Sequence, residues 1–175
     1  MRGNLPLPGS TRARLLDVAL KQFSTHPYQN VEVNALAAEA GVTIGALYHH
    51  FQSKQGIYRV VRNEITLRLL DRMEAAADAA PPGQQLRAAV LATYDGAFRV
   101  KAGHLLLDPD LPGTPDALIQ GLSAAAKQAN IMNPELTAQL LNAALKAALT
   151  AGQNNPEVRA DARRALQRLI PDSEG

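Results

Sequence analysis

Residues 36–51, Leu-Ala-Ala-Glu-Ala-Gly-Val-Thr-Ile-Gly-Ala-Leu-Tyr-His-His-Phe, read as helix, sharp turn, helix. Leu36, Ala37 and Ala40 fall on one face at helical spacing, and Gly41 can take a positive φ where the chain must reverse. Val42 and Leu47 give the second segment an inward face, and the small Ala37 lets the two axes cross closely. The outward face carries Thr43, Ile44, Ala46, Tyr48 and His49, with no carboxylate to repel a phosphate chain. Residues 43–49 therefore suit a recognition helix for the DNA major groove.

The chain has 175 residues, enough for one sizeable core or two small ones. It is 46% hydrophobic but only 4% aromatic, so the core must be mostly Leu, Ala and Val, which suits packed helices. No segment alternates with period two, and the expected fold class is all-α. The absence of cysteine and of an N-terminal apolar run argues against a disulfide framework, a thiolate-metal site and a secretory leader. No apolar stretch approaches the roughly 20 residues needed to span a bilayer, so a cytoplasmic protein without membrane contact is expected. Charge is uneven: residues 1–63 hold seven Lys or Arg against three acids, hence +4, and residues 64–175 hold eleven against thirteen, hence −2. A basic first third beside a mildly acidic remainder fits a nucleic-acid-binding head on a separate body. With no Gly-rich phosphate loop and no nucleophile elbow, an enzyme is not expected.

Taken in order, residues 1–9 read as an arm rich in Pro and Gly, after which Ser10 or Thr11 caps a first helix with Leu15, Leu16, Ala19, Leu20 and Phe23 inward. Pro27 ends it. A second helix starts near Glu32, a poor cap, with Asn30 as the alternative. Ser53 caps a fourth helix over 54–79 that buries Ile57, Val60, Val61, Ile65, Leu69, Leu70 and Met73. Lys54 then sits in the first turn, where a cation opposes the helix dipole unless a phosphate lies against it. Ala80-Pro81-Pro82-Gly83 closes this helix, and another runs over 84–107, kinked near Gly103, before a loop at 108–113. Thr114-Pro115-Asp116, Asn133-Pro134-Glu135 and Asn155-Pro156-Glu157 each read as cap, first-turn proline and acid, opening helices over 115–129, 134–152 and 156–169.

Residues 42–54, Val-Thr-Ile-Gly-Ala-Leu-Tyr-His-His-Phe-Gln-Ser-Lys, resemble the V-S/T-x-G-x-L-Y-x-H-F-x-S/N-K signature of the tetracycline-repressor (TetR) family of transcriptional regulators. Gly45, Leu47, Tyr48, His50, Phe51 and Lys54 stand at the signature spacing, and the likeness reaches back through Ala19, Phe23 and Tyr28 over residues 11–59. It departs at Pro27, where the family usually has glycine, at Glu32, where Ser or Thr commonly caps, and at Ile44, near which many members carry Lys or Arg. The resemblance implies a helix-turn-helix DNA-binding domain over 10–53, joined by a long helix to an effector-binding and dimerisation domain over 54–175. It further implies a homodimer on a palindromic operator in double-stranded DNA, repression as the default, and a small-molecule effector in place of a cofactor.

The DNA-binding candidates are Thr43, Ile44 and Ala46 for base edges, and Tyr48, His49 and Lys54 for phosphates, with Arg12 and Arg14 as weaker phosphate contacts. Tyr48 could instead be a packed core ring. His50 reads as a buried, hydrogen-bonded histidine beside Phe51. Adjacent His49 and His50 diverge by about 100° on a helix, with no carboxylate or thiol nearby, so no metal site is expected. Leu91, Tyr94, Phe98, Leu118 and Leu122 are candidate walls of an effector cavity, with Asp95, His104 and Asp108 as polar contacts. Leu141, Leu145, Ala148, Leu149 and Gly152, with Val158, Ala162, Leu166 and Leu169, either finish the monomer core or form half of a two-fold four-helix interface. The resemblance favours the interface. The competing reading is an all-helical dimer that binds a ligand or protein with weak DNA binding, as Ile44, Glu32 and Pro27 would allow.

An uncharged Ile44 predicts few neutralised phosphates, each contributing a slope of about −0.9 in log affinity against log salt. A salt titration of the dimer should therefore give a slope shallower than about −8, and a steeper one would contradict this.

Overall fold

The computed structural model describes residues 9–107, 116–153 and 155–170, and among these the secondary structure is helical, without a strand. The chain divides into two compact units, Met1–Glu64 and Ile65–Gly175. The division falls inside the long fourth helix, not at its start.

In the first unit, α1 (Thr11–Thr25) is capped by Ser10, whose hydroxyl accepts from the Ala13 N–H at 3.2 Å. Leu15, Leu16, Ala19 and Phe23 are buried along it, while Leu20 is half-buried. A 3-10 turn at Tyr28–Asn30 leads to α2 (Val33–Glu39). Asn30 lies within that turn and does not cap α2; Glu32 occupies the cap position without a side-chain hydrogen bond. α2 ends where Gly41 takes φ +63°. There Gly41 N–H donates to the Ala38 carbonyl and Val42 N–H to the Ala37 carbonyl, each at 3.0 Å, so the freed carbonyls are satisfied as the chain reverses. α3 (Ile44–Phe51) follows, then α4 (Lys54–Ala79), with the Ser53 hydroxyl accepting from Gly56 N–H at 2.9 Å.

Leu36, Ala37, Ala40, Leu47 and Phe51 are buried together with Ile57, Tyr58 and Val61 from the start of α4, which is why the first unit takes in part of that helix. The Tyr58 ring stands edge-on to Phe23 at 5.0 Å and to Tyr28 at 4.8 Å. Lys21 (2.6 Å) and Gln22 (2.5 Å) both donate to Glu39, tying α1 to α2. The Lys21 hydrogen bond, and after it that from Gln22, hold the Glu39 carboxyl below the usual carboxylate range. This tie contributes above an unfolded pKa of about 4.3 and is lost as pH falls through the lowered folded value.

In the second unit, the remainder of α4 is joined by α5 (Gln85–Arg99), α6 (Gly103–Leu107), α7 (Ala117–Gln128), α8 (Pro134–Gln153) and α9 (Pro156–Leu169). The helix over 84–107, expected to kink near Gly103, is broken just ahead of that glycine, at residues 100–102. Lys101 takes φ +53°, and Ala102 N–H donates back to the Ala97 carbonyl at 2.8 Å. The turn places Ala102, Leu105 and Leu106 in the core. α7 begins after Asp116, which accepts from Leu118 N–H at 3.0 Å. Asp108, the loop at 108–113, Thr114 and Pro115 lie outside the described residues, as does the arm at 1–8. Asn155 caps α9 as expected, accepting from Glu157 and Val158 N–H.

α8 packs against α5, α6, α7 and α9. Leu141, Leu145, Ala148, Leu149 and Gly152 are buried within the protomer, and so is Leu166 of α9. Those six assembly candidates therefore serve the protomer core and offer little surface to a partner. Val158 and Ala162 are half-buried, and Leu169 is exposed.

Gly56 is the tightest point of the first unit, since a Cβ there would stand 1.9 Å from the Phe51 carbonyl oxygen. Gly56→Ala should cost about 1–3 kcal/mol or more as an overpacking change, read by chemical denaturation. Gly45→Ala, whose added Cβ would meet nothing closer than the Thr43 hydroxyl at 3.8 Å, should leave the fold intact.

Candidate nucleic-acid interface

Thr43 opens α3, and its hydroxyl oxygen accepts from Ala46 N–H at 3.2 Å, which leaves the O–H as a donor at the helix tip. Leu47 and Phe51, one turn apart, hold α3 in the core. The positions between them must then face outward. Ile44 is 41% exposed and Tyr48 45% exposed, and Thr43, Gly45 and His49 are exposed beside them. Ala46 is half-buried and recessed from that surface. α3 bears no carboxylate.

His50 departs from expectation. It is exposed, its ring 5.3 Å from that of His49 and tilted 6.2 Å from that of Phe51. The inward register belongs to Leu47 and Phe51, so His50 is rotated about 100° away from Phe51. The identity of the apolar pair, weighed against each other, could have signalled this. Among the described residues no three His, Cys, Asp or Glu side chains gather where they could hold a metal ion.

The basic candidates divide by environment. Lys54 is half-buried; its ammonium donates to the Gln29 carbonyl at 3.4 Å and lies 4.5 Å from the Tyr28 ring centre. A cation in the first turn of α4 is thus explained within the fold, without a phosphate. The Arg12 guanidinium lies 5.6 Å over the Phe51 ring. Arg14 is exposed and reaches the helix-turn-helix corner, 3.6 Å from where a Cβ on Gly41 would stand.

Several of the effector candidates make packing contacts within the second unit. Tyr94, Leu118 and Leu122 are packed in the core. Tyr94 donates to the Arg159 carbonyl at 2.9 Å, and burial pushes its phenol above the usual range. Asp95 accepts two-pronged from Arg163 at 2.9–3.0 Å, and Phe98 lies 4.0 Å beneath Arg159. These three residues dock α5 on α9. Leu91 and His104 are half-buried. A cavity of about 280 Å³ lies between α4 and α7, lined by none of the seven candidates that fall among the described residues.

Residues 15–61 match the family profile described as bacterial regulatory proteins, tetR family. Structural neighbours described as members of the same family span nearly the whole chain: a TetR-family transcriptional regulator from Pectobacterium atrosepticum aligns with TM-score 0.72 and 25% identity over 91% of this chain and 92% of that one. The head of the chain is a TetR-family domain. The chain is also 34% identical over 76 residues to the HTH-type transcriptional regulator AcrR of Shigella flexneri, a match that takes in 43% of this chain and 35% of AcrR. The chain thus spans about a third of that relative's length. The fold is shared further with the regulator FadR from Bacillus subtilis in complex with stearoyl-CoA, at TM-score 0.67 and 17% identity over 93% of this chain and all of that one. Beyond the head, the likeness to these structures is one of fold.

Because Tyr48 stands free of the core while Lys54 braces the Tyr28–Asn30 turn, the two should separate on substitution. Lys54→Ala is expected to lower stability by about 0.5–1 kcal/mol, whereas Tyr48→Ala should stay within about 0.5 kcal/mol, both read from denaturation midpoints.

Proposed function

We propose that the chain is a ligand-responsive transcriptional repressor that binds a palindromic DNA operator as a homodimer, reading the major groove with α3. The observation carrying this is the exposed, carboxylate-free face of Thr43, Ile44, Tyr48 and His49 on a helix whose opposite side is fixed by Leu47 and Phe51. Thr43 can donate to a base edge, Ile44 can meet a thymine methyl, and Tyr48 and His49 suit phosphate oxygens. Arg14 at the Gly41 corner adds a backbone contact.

A homodimer is supported by the exposed side of α8, with Leu136 and Leu140 in place of the buried leucines first expected. Leu136 (55% exposed) and Leu140 (63% exposed) continue through exposed Ala143 and Ala147 at helical spacing, and Leu169 on α9 is 63% exposed. A second copy of the same apolar surface would cover these by two-fold symmetry, which a palindromic site matches.

Fluorescence anisotropy on fragments from the gene's own upstream region tests the reading. The wild type should show sequence-specific binding that Tyr48→Ala weakens by about tenfold, or roughly 1.4 kcal/mol, with unchanged stability. Leu136→Glu with Leu140→Glu should give a folded monomer by sedimentation, with lost operator affinity. Absence of specific binding to any upstream fragment would overturn the DNA-binding reading.

A further inference from the structure

The cavity between α4 and α7 has a chemistry that narrows what it can hold. Leu70, Met73 and Ala77 from α4 and Ala124 from α7 give it aliphatic walls without an aromatic ring. α7 presses close at Gly121, where a Cβ would stand 2.4 Å from a Leu70 methyl, so this helix pair leaves no room for a larger side chain at that level. Among the described residues the polar lining consists of Glu74, Gln120 and Gln128, and it includes no Lys, Arg or His. The one formal charge is therefore the Glu74 carboxylate, exposed to solvent, with amide oxygens as further acceptors in the lining. At about 280 Å³ the space falls just short of ordinary ligand pockets, which run from roughly 300 Å³, and suits a small ligand.

We propose that this cavity binds a small aliphatic ammonium compound, with its cation held by Glu74 and its hydrocarbon part against Leu70, Met73 and Ala77. The assignment rests on the ligand-responsive reading above and names the ligand class. A carboxylate or phosphate ligand would meet like charge at Glu74 with no basic group to offset it, and a bare hydrocarbon or alcohol would leave the carboxylate unused. Recognition by an ammonium fits both halves of the lining. Because the carboxylate is solvent-exposed, its share is a selectivity among ligands of equal length, on top of the apolar contact.

Calorimetric titration of the full chain with hexylammonium, hexan-1-ol and hexanoate reads this out. Hexylammonium should bind about threefold to fivefold tighter than hexan-1-ol, with hexanoate weakest. Glu74→Gln should abolish the hexylammonium advantage and leave hexan-1-ol unchanged, and Ala124→Leu, which fills the cavity from an exposed helix position, should weaken all three. Hexanoate binding as tightly as hexylammonium, or the advantage persisting in Glu74→Gln, overturns the ligand class; titrations unmoved by Ala124→Leu overturn the site. Operator affinity measured at saturating hexylammonium separates this from the earlier reading. If the binding pattern holds while operator affinity does not change, the cavity assignment stands and ligand responsiveness fails.

Discussion

The first unit depends on how α3 is anchored at both ends. At its start, Gly41 turns the chain with positive φ while Thr43 caps the new helix. At its finish, Phe51 is buried and its carbonyl lies so close to Gly56 that a side chain there has no space. Between these points Leu47 and Phe51 fill the core, so α3 has one rotational setting in which both are buried. Tyr48 and Ile44 face water as a consequence of that setting, and the face available to DNA is a by-product of core packing.

The second unit is organised by α8, which touches four other helices. Its neighbours are held by polar as well as apolar contacts. Asp116 caps α7 with one carboxylate oxygen and accepts from Asn142 and Lys146 of α8 with the other. The Asp95–Arg163 pair and the Tyr94–Arg159 hydrogen bond dock α9 on α5, with Gly152 small enough to let Tyr94 and Phe98 reach across. Aromatic and charged groups that resembled cavity lining in the sequence are thereby used as fasteners.

Much of the architecture was legible from local chemistry. The bounds of α4 follow from Ser53 at one end and Pro81-Pro82-Gly83 at the other, and those of α9 from Asn155-Pro156. The break after Arg99 was legible only as a kink near Gly103, because Lys101 and not the glycine adopts the positive φ. Gly56 gave no sign of its importance either, since a glycine one turn into a helix looks like any tolerated interruption until the carbonyl of Phe51 is placed beside it. Lys54 looked exposed and ready for a phosphate, and its ties to Gln29 and Tyr28 depend on residues distant in the chain.

The sequence alone determined that the chain is helical, where most helices begin and end, and that the outer side of α3 carries no acid, because capping groups, prolines and residue spacing act within a few positions of one another. Tertiary structure decided which apolar stripe of α8 goes inward, that Tyr94, Asp95 and Phe98 serve packing, and which residues of α4 and α7 line the cavity between them. An apolar face carries the same local pattern whether it meets the core or a second molecule. Only the competition among helices for a common interior chooses between them.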